Sequence, residues 1–138
     1  WVRDNIENVA VPQANNLPTY GNRRSGETIR FHRLAAAQLQ DLWAEWERVG
    51  LLRLVEFWGG SFVPRYRTGS TTGLSNHSWG SAFDINTATN GWGVRPPGLG
   101  RPGCLLPLVP IAERFGFAWG GFFPTYDGMH FEVAELLS

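Results

Sequence analysis

The most informative segment of this chain is SNHSWGSAFDI, residues 75–85. Gly80 permits a tight bend in the middle of it, and the residues after the bend alternate in character. On a strand this alternation places Phe83 and Ile85 on one face and Asp84 on the other. The segment therefore predicts a strand that buries an apolar face and carries a carboxylate on its opposite face.

A second segment, DGMHFE at residues 127–132, has the same alternation. Met129 and Phe131 fall on one face of the predicted strand, and His130 and Glu132 fall on the other. The second strand is therefore also expected to bury an apolar face, which leaves His130 on the polar side.

Together the two segments contain the ligand types that a catalytic zinc requires. Such a zinc takes three protein ligands and keeps a fourth position for water, and we predict that His77, Asp84 and His130 are those ligands. Asp127 lies three residues before His130, a span of at most about 10 Å, so its carboxylate is placed to act as a general base on that water. Asp-Gly is also a common turn dipeptide, so a purely structural role for Asp127 stays open at this point.

Composition limits the class of protein. A chain of 138 residues is long enough for one domain with one core, and we predict a single domain over residues 1–138. Its 12 arginines are balanced by 12 acidic residues without any basic run, so nucleic acid is not an expected partner. The single cysteine excludes a disulfide scaffold.

No apolar run approaches the roughly 20 residues of a membrane-spanning helix. The amino terminus lacks the charged and apolar regions of a signal peptide, and Trp1 is not a start methionine. We therefore expect a processed protein or an excised domain without a visible targeting signal.

Periodicity gives the remaining elements and the fold class. The predicted elements are an irregular amino-terminal wrap over 1–28, an amphipathic helix over 31–49 ended by Gly50, a buried strand over 51–58, strands near 82–87 and 129–134, and a second helix over 106–115 stopped at Gly116. Helices packed on a small, mainly antiparallel sheet define an α+β fold.

At its two motifs the chain resembles the VanY-like D-alanyl-D-alanine carboxypeptidase family of zinc peptidases, which includes L-alanyl-D-glutamate endopeptidases of phages and bacteria. The signature of that family is Ser-x-His-x-x-Gly-x-Ala-x-Asp, followed by an acidic residue three positions before a second histidine. This chain meets it at Ser75, His77, Gly80, Ala82, Asp84, Asp127 and His130. The family also has an upstream arginine in a segment like GSFVPRY, residues 60–66, and the resemblance extends from about Phe31 to Val133.

The resemblance implies a hedgehog/DD-peptidase-like fold and a role for each matched residue. His77, Asp84 and His130 would bind Zn²⁺, with Asp127 as the base. Arg65 would hold substrate or the developing oxyanion.

Other residues are expected to support the site. Arg67 competes with Arg65, because strand alternation sends both guanidinium groups to one face, and we favour Arg65. Ser75 is expected to stabilise a ligand or its loop through a hydrogen bond. Trp79 is a candidate for the wall of the cleft, and Asn86 offers an amide to a peptide backbone.

The implied reaction is hydrolysis of an amide bond in peptidoglycan stem peptides, outside the cytoplasm at the bacterial cell wall or in the periplasm, by a monomer. Bidentate pairing of an arginine with a terminal carboxylate would favour a D-alanyl-D-alanine carboxypeptidase. A cleft open at both ends would favour an L-alanyl-D-glutamate endopeptidase of the endolysin type. A zinc-binding or wall-binding module without activity is the third hypothesis, and Asp127 argues against it because a binding module needs no base.

Overall fold

The computed structural model describes residues 2–61 and 79–137, and it has the predicted α+β architecture. The helices of this part are α1 (Val2–Asn5), α2 (Ala36–Arg48) and α3 (Val109–Arg114). Its strands are β1 (Ile6–Ala10), β2 (Pro18–Thr19), β3 (Arg23–Arg24), β4 (Thr28–His32), β5 (Trp58–Gly60), β6 (Ala82–Ile85), β7 (Phe117–Trp119) and β8 (His130–Val133). None of the helices in these two stretches is both long enough and apolar enough to cross a membrane.

The central sheet has the antiparallel order β5-β6-β8-β7. Strands β6 and β8 pair in a register that sets Phe83 opposite Phe131 and Asp84 opposite His130. The two phenylalanine rings stack with centroids 5.4 Å apart and planes 10° apart. Because side chains alternate along a strand, the two polar residues occupy the opposite face, as the sequence predicts.

Helix α2 covers the apolar face of this sheet. Its Leu39, Leu42, Trp43 and Trp46 recur at steps of three and four and are fully buried. The Trp43 ring lies 5.6 Å from Phe83, between centroids. Burial of one such aromatic side chain is worth roughly 3–5 kcal/mol against alanine, so this contact fixes which face of the sheet is left for the polar residues.

The predicted carboxyl-terminal ends of both helices are confirmed, and a glycine follows each helix. Gly50 follows α2 with φ +80° and Gly116 follows α3 with φ +82°. This left-handed conformation is readily adopted by glycine and disfavoured for other residues.

The predicted strand over 51–58 is wrong for most of its length. Leu52–Leu54 forms a 3-10 turn, and only β5 at its end is a strand. The reason is a distant side chain, because the Asn86 Oδ1 accepts hydrogen bonds from the backbone N–H groups of Glu56 (2.8 Å) and Phe57 (3.1 Å). These donors are therefore not used in a strand ladder.

The amino-terminal segment is more regular than the predicted wrap over 1–28. Its β1 pairs with β4 in an antiparallel register that sets Ile6 opposite His32. Val9 of β1 is 3% exposed and joins the same core cluster as Phe83. The single domain over residues 1–138 stays a prediction.

Candidate active site

Asp84 and His130 form the centre of the candidate site. They are direct neighbours across β6 and β8, and the Asp84 Oδ1 lies 3.2 Å from the His130 Nδ1. Residues opposite each other in an antiparallel pair have Cβ atoms only about 4.5–5.5 Å apart, so the strand register alone brings the two side chains together. Both are buried, at 7% and 6% exposure.

Asp127 approaches the same ring nitrogen from the turn before β8. Its Oδ2 lies 3.8 Å from the His130 Nδ1, too far for a direct hydrogen bond. The turn is fixed by two backbone hydrogen bonds, from the Asp127 N–H to the Gly120 carbonyl (2.9 Å) and from the His130 N–H to the Asp127 carbonyl (3.0 Å). The Trp119 indole N–H also donates to the Gly128 carbonyl, at 2.7 Å.

Gly120 is required for this approach. A Cβ added there would overlap the carbonyl oxygen of Asp127 and lie 3.0 Å from the Asp127 Cβ. The β7 end and the turn that carries Asp127 can therefore meet only because position 120 has no side chain.

Glu132 holds the other edge of the imidazole ring. Its Oε1 lies 2.7 Å from the His130 Nε2. A carboxylate can only accept a hydrogen bond, so the protonated ring donates from both nitrogens, from Nδ1 to Asp84 and from Nε2 to Glu132. The sequence analysis placed Glu132 on the same strand face as His130 but missed this contact, although the spacing of two residues on one strand indicates it.

The carboxylates around His130 determine its protonation. Burial by itself lowers the pKa of the imidazole, but the hydrogen bonds to Asp84 and Glu132 and the charges of Asp84 and Asp127 outweigh burial and raise the pKa to about 9. Three carboxylates thus surround one imidazole, an arrangement that favours a cation at this point.

The separation of Asp84 and His130 is compatible with two ligands of one metal ion. Two ligands of a tetrahedral zinc, each about 2.0–2.1 Å from the ion, stand roughly 3.3 Å apart, and the observed separation of Oδ1 and Nδ1 is 3.2 Å. Within residues 2–61 and 79–137 alone, no group of three His, Cys, Asp or Glu side chains is arranged to hold a metal. The predicted third ligand, His77, lies outside the described residues.

Arg65, Arg67 and Ser75 also lie outside the described residues. Trp79 lines a small cavity with Leu34 and Val133. Val133 is three residues along β8 from His130, about 10 Å, so this cavity lies at the other end of the strand.

The side chain of Asn86 is used in hydrogen bonds to the backbone of the preceding loop. In addition to accepting two backbone hydrogen bonds, its Nδ2 donates to the Leu54 carbonyl at 2.8 Å, and the residue is 3% exposed. Its φ of +51° is a conformation that asparagine tolerates. We therefore assign Asn86 to the structure of the loop rather than to substrate binding.

The sequence that carries Asp84, Asp127 and His130 is similar to that of a family of peptidases that act on peptidoglycan. Residues 68–133, a little less than half of the chain, match the sequence model of the family described as D-alanyl-D-alanine carboxypeptidase. The resemblance seen in the motifs is thereby confirmed over the segment that contains Asp84, Asp127 and His130. No curated protein matches the chain.

Proposed function

We propose that this chain is a zinc-dependent peptidase that hydrolyses an amide bond in peptidoglycan stem peptides. One observation carries the proposal: the Asp84 and His130 pair, with Asp127 3.8 Å from the same imidazole nitrogen, lies within the segment that matches the family. In this proposal His77, Asp84 and His130 are the zinc ligands.

In the proposed hydrolysis, the carbonyl and the water are activated at the zinc site, and Asp127 transfers the proton. Bound zinc would supply a Lewis acid that polarises the peptide carbonyl and lowers the pKa of a water. Asp127 takes the proton of the attacking water on its carboxylate and returns it to the leaving amine. Its side chain is 23% exposed, so it is open to water from one side.

Glu132 and Ser75 are proposed to position the ligands, whereas Arg65 is proposed to contact the substrate. Glu132 fixes the orientation of the His130 ring through the Nε2–H hydrogen bond, the arrangement that commonly supports a metal-binding histidine. Arg65 is proposed to bind the developing oxyanion or a substrate carboxylate, and Ser75 to hold a ligand in place.

D-Alanyl-D-alanine carboxypeptidase is the activity we favour, because it is the description of the matched family. An L-alanyl-D-glutamate endopeptidase is the second candidate. A groove of about 740 Å³ lies beside Tyr126, the residue before the proposed base, and a groove of this volume can hold a substrate that continues beyond the cleaved bond. Either activity belongs at the cell wall or in the periplasm, and we expect the chain to act as a monomer.

The test combines metal content with two substrates. The protein is loaded with zinc and incubated with a stem peptide that ends in D-Ala-D-Ala and with one truncated after D-Glu, and the release of D-alanine and of L-alanyl fragments is measured. Asp127→Asn keeps the shape but removes the proton acceptor, so we expect zinc to be retained and turnover to fall at least about 100-fold.

Asp41→Asn is the matched control, because Asp41 is an exposed aspartate of α2, and it should leave turnover unchanged. His77→Ala should lose zinc. A wild-type chain that takes up no zinc, or an Asp127→Asn variant with undiminished turnover, would contradict the proposal.

A further inference from the structure

The groove beside Tyr126 has walls of different chemistry. One wall is the loop after β6, which contributes Arg95 and Arg101, and the other is formed by Trp119, Phe122 and Tyr126. The two arginines are the only charged residues among the described residues that line it. The groove therefore combines positive charge with an aromatic surface.

Within the part of the chain that the structure describes, neither arginine has a carboxylate partner for its guanidinium group. Each is exposed, and no carboxylate within residues 2–61 and 79–137 forms an ion pair with either. Arginine in a wall of mixed polarity is suited to a carboxylate, which it can bind in bidentate geometry. The electrostatic complement of this groove is an anion.

The loop that presents the arginines is held in place. The Arg101 N–H donates to the Gly98 carbonyl at 3.1 Å, and the Cys104 N–H donates to the Arg101 carbonyl at 3.2 Å. Asn90, which is fully buried, donates from Nδ2 to the Gly103 carbonyl at 2.9 Å. Little backbone conformational entropy is therefore lost when a ligand meets this loop.

The aromatic wall is accessible. Phe122 is 67% exposed and Tyr126 is 41% exposed. Phe122 is supported from behind by Trp119, whose ring meets it edge to face at 5.0 Å between centroids. Such a wall can pack against the backbone and methyl groups of a peptide.

The groove lies next to the turn that carries the candidate base, because Tyr126, which lines it, directly precedes Asp127. The two walls are joined by the β-bridge between Trp92 and Asp127 and by the hydrogen bond from the Gly93 N–H to the Tyr126 carbonyl, at 2.6 Å. A peptide bound along the groove would therefore lie beside the turn that carries Asp127.

We infer that this groove is a substrate subsite that binds an anionic part of the stem peptide, with Arg95 and Arg101 on a carboxylate and Phe122 and Tyr126 against its apolar surface. The inference rests on the proposed function, because that function supplies the peptide. The carboxylate has two possible sources in a stem peptide, the terminal D-alanine and the D-glutamate residue.

The experiment measures binding separately from turnover. In the Asp127→Asn background, which keeps the groove, the Kd of a synthetic stem peptide is determined by calorimetry. Three further peptides replace the terminal carboxylate, the D-glutamate carboxylate or both by carboxamides. The variants are Arg95→Gln, Arg101→Gln and the double substitution, with Arg23→Gln of the exposed strand β3 as the control for the lost charge.

We expect the double substitution to weaken binding of the acidic peptide at least about tenfold and to leave the doubly amidated peptide unchanged. The carboxamide that abolishes this difference identifies the source of the carboxylate. Arg23→Gln should have no effect.

Equal affinities of the acidic peptide for the double variant and its parent would overturn the inference, even if the wild-type chain hydrolyses peptides. So would a glycerol phosphate oligomer that binds more tightly than the peptide, because the ligand would then be a phosphodiester. If the expected difference in binding appears but no wild-type hydrolysis does, the proposed function fails and the groove stands as a binding site for the acidic peptide.

Discussion

Substitution of Gly120 by alanine tests whether the position of Asp127 controls turnover. The added methyl would overlap the Asp127 carbonyl oxygen and stand 3.0 Å from its Cβ. Carbon atoms in contact prefer about 3.5–4.0 Å, and the carbonyl oxygen lies closer still, so Asp127 must move by about 1 Å or more. A displacement of about 1 Å at a reacting group costs roughly 100-fold in rate, and that is the loss of turnover we expect.

The same substitution should leave metal binding intact. Asp84 and His130 are set by the β6–β8 register, and Gly120 does not take part in it. Overpacking of this kind destabilises by roughly 1–3 kcal/mol, so the variant should still fold.

Turnover, zinc content and melting temperature are measured together. Gly26→Ala is the control, because an added Cβ there meets nothing within 4 Å. A folded Gly120→Ala chain with wild-type turnover would refute the reasoning, because the close approach of the two segments would then be irrelevant to the base.

Two further predictions concern His130 and the upstream arginines. In the metal-free chain the pKa of His130 is raised from 6.5 to about 9, so its stabilisation is fully present below about pH 6.5 and is lost as pH rises through about 9. Glu132→Gln replaces the carboxylate that accepts one of the hydrogen bonds responsible by a neutral amide. Urea unfolding between pH 6 and 10 should then show a loss of stability smaller by on the order of 1 kcal/mol, and an unchanged pH profile would contradict this. Arg65→Lys keeps the charge but not the planar fork, so steady-state kinetics should show turnover reduced by about tenfold or more with zinc retained. Arg67→Lys should do less, and the reverse order would show that Arg67 is the substrate arginine.

The centre of the site could be predicted because local alternation decides it. Phe83 and Phe131 are driven into the core, and their neighbours Asp84 and His130 must then face the other way. Helix α2 was also predictable, since its apolar spacing and Gly50 are local signals. These features need no knowledge of distant contacts.

The features that could not be predicted depend on long-range contacts. The segment before β5 is apolar enough for a strand, but Asn86, some 30 residues away, takes its backbone donors. Strand β1 exists only through its pairing with β4. The groove at Arg95 likewise appears only when two loops are joined by the bridge between Trp92 and Asp127.

The pairing of Asp84 with His130 also has a consequence for folding. A slip of β8 by one residue against β6 would turn His130 toward the core and Phe131 toward the surface, and the two proposed ligands would no longer meet. An ion held by both side chains would therefore bind the native register of the two strands and not the shifted register. Metal uptake during folding would therefore stabilise the native register of β6 and β8 and not the shifted one.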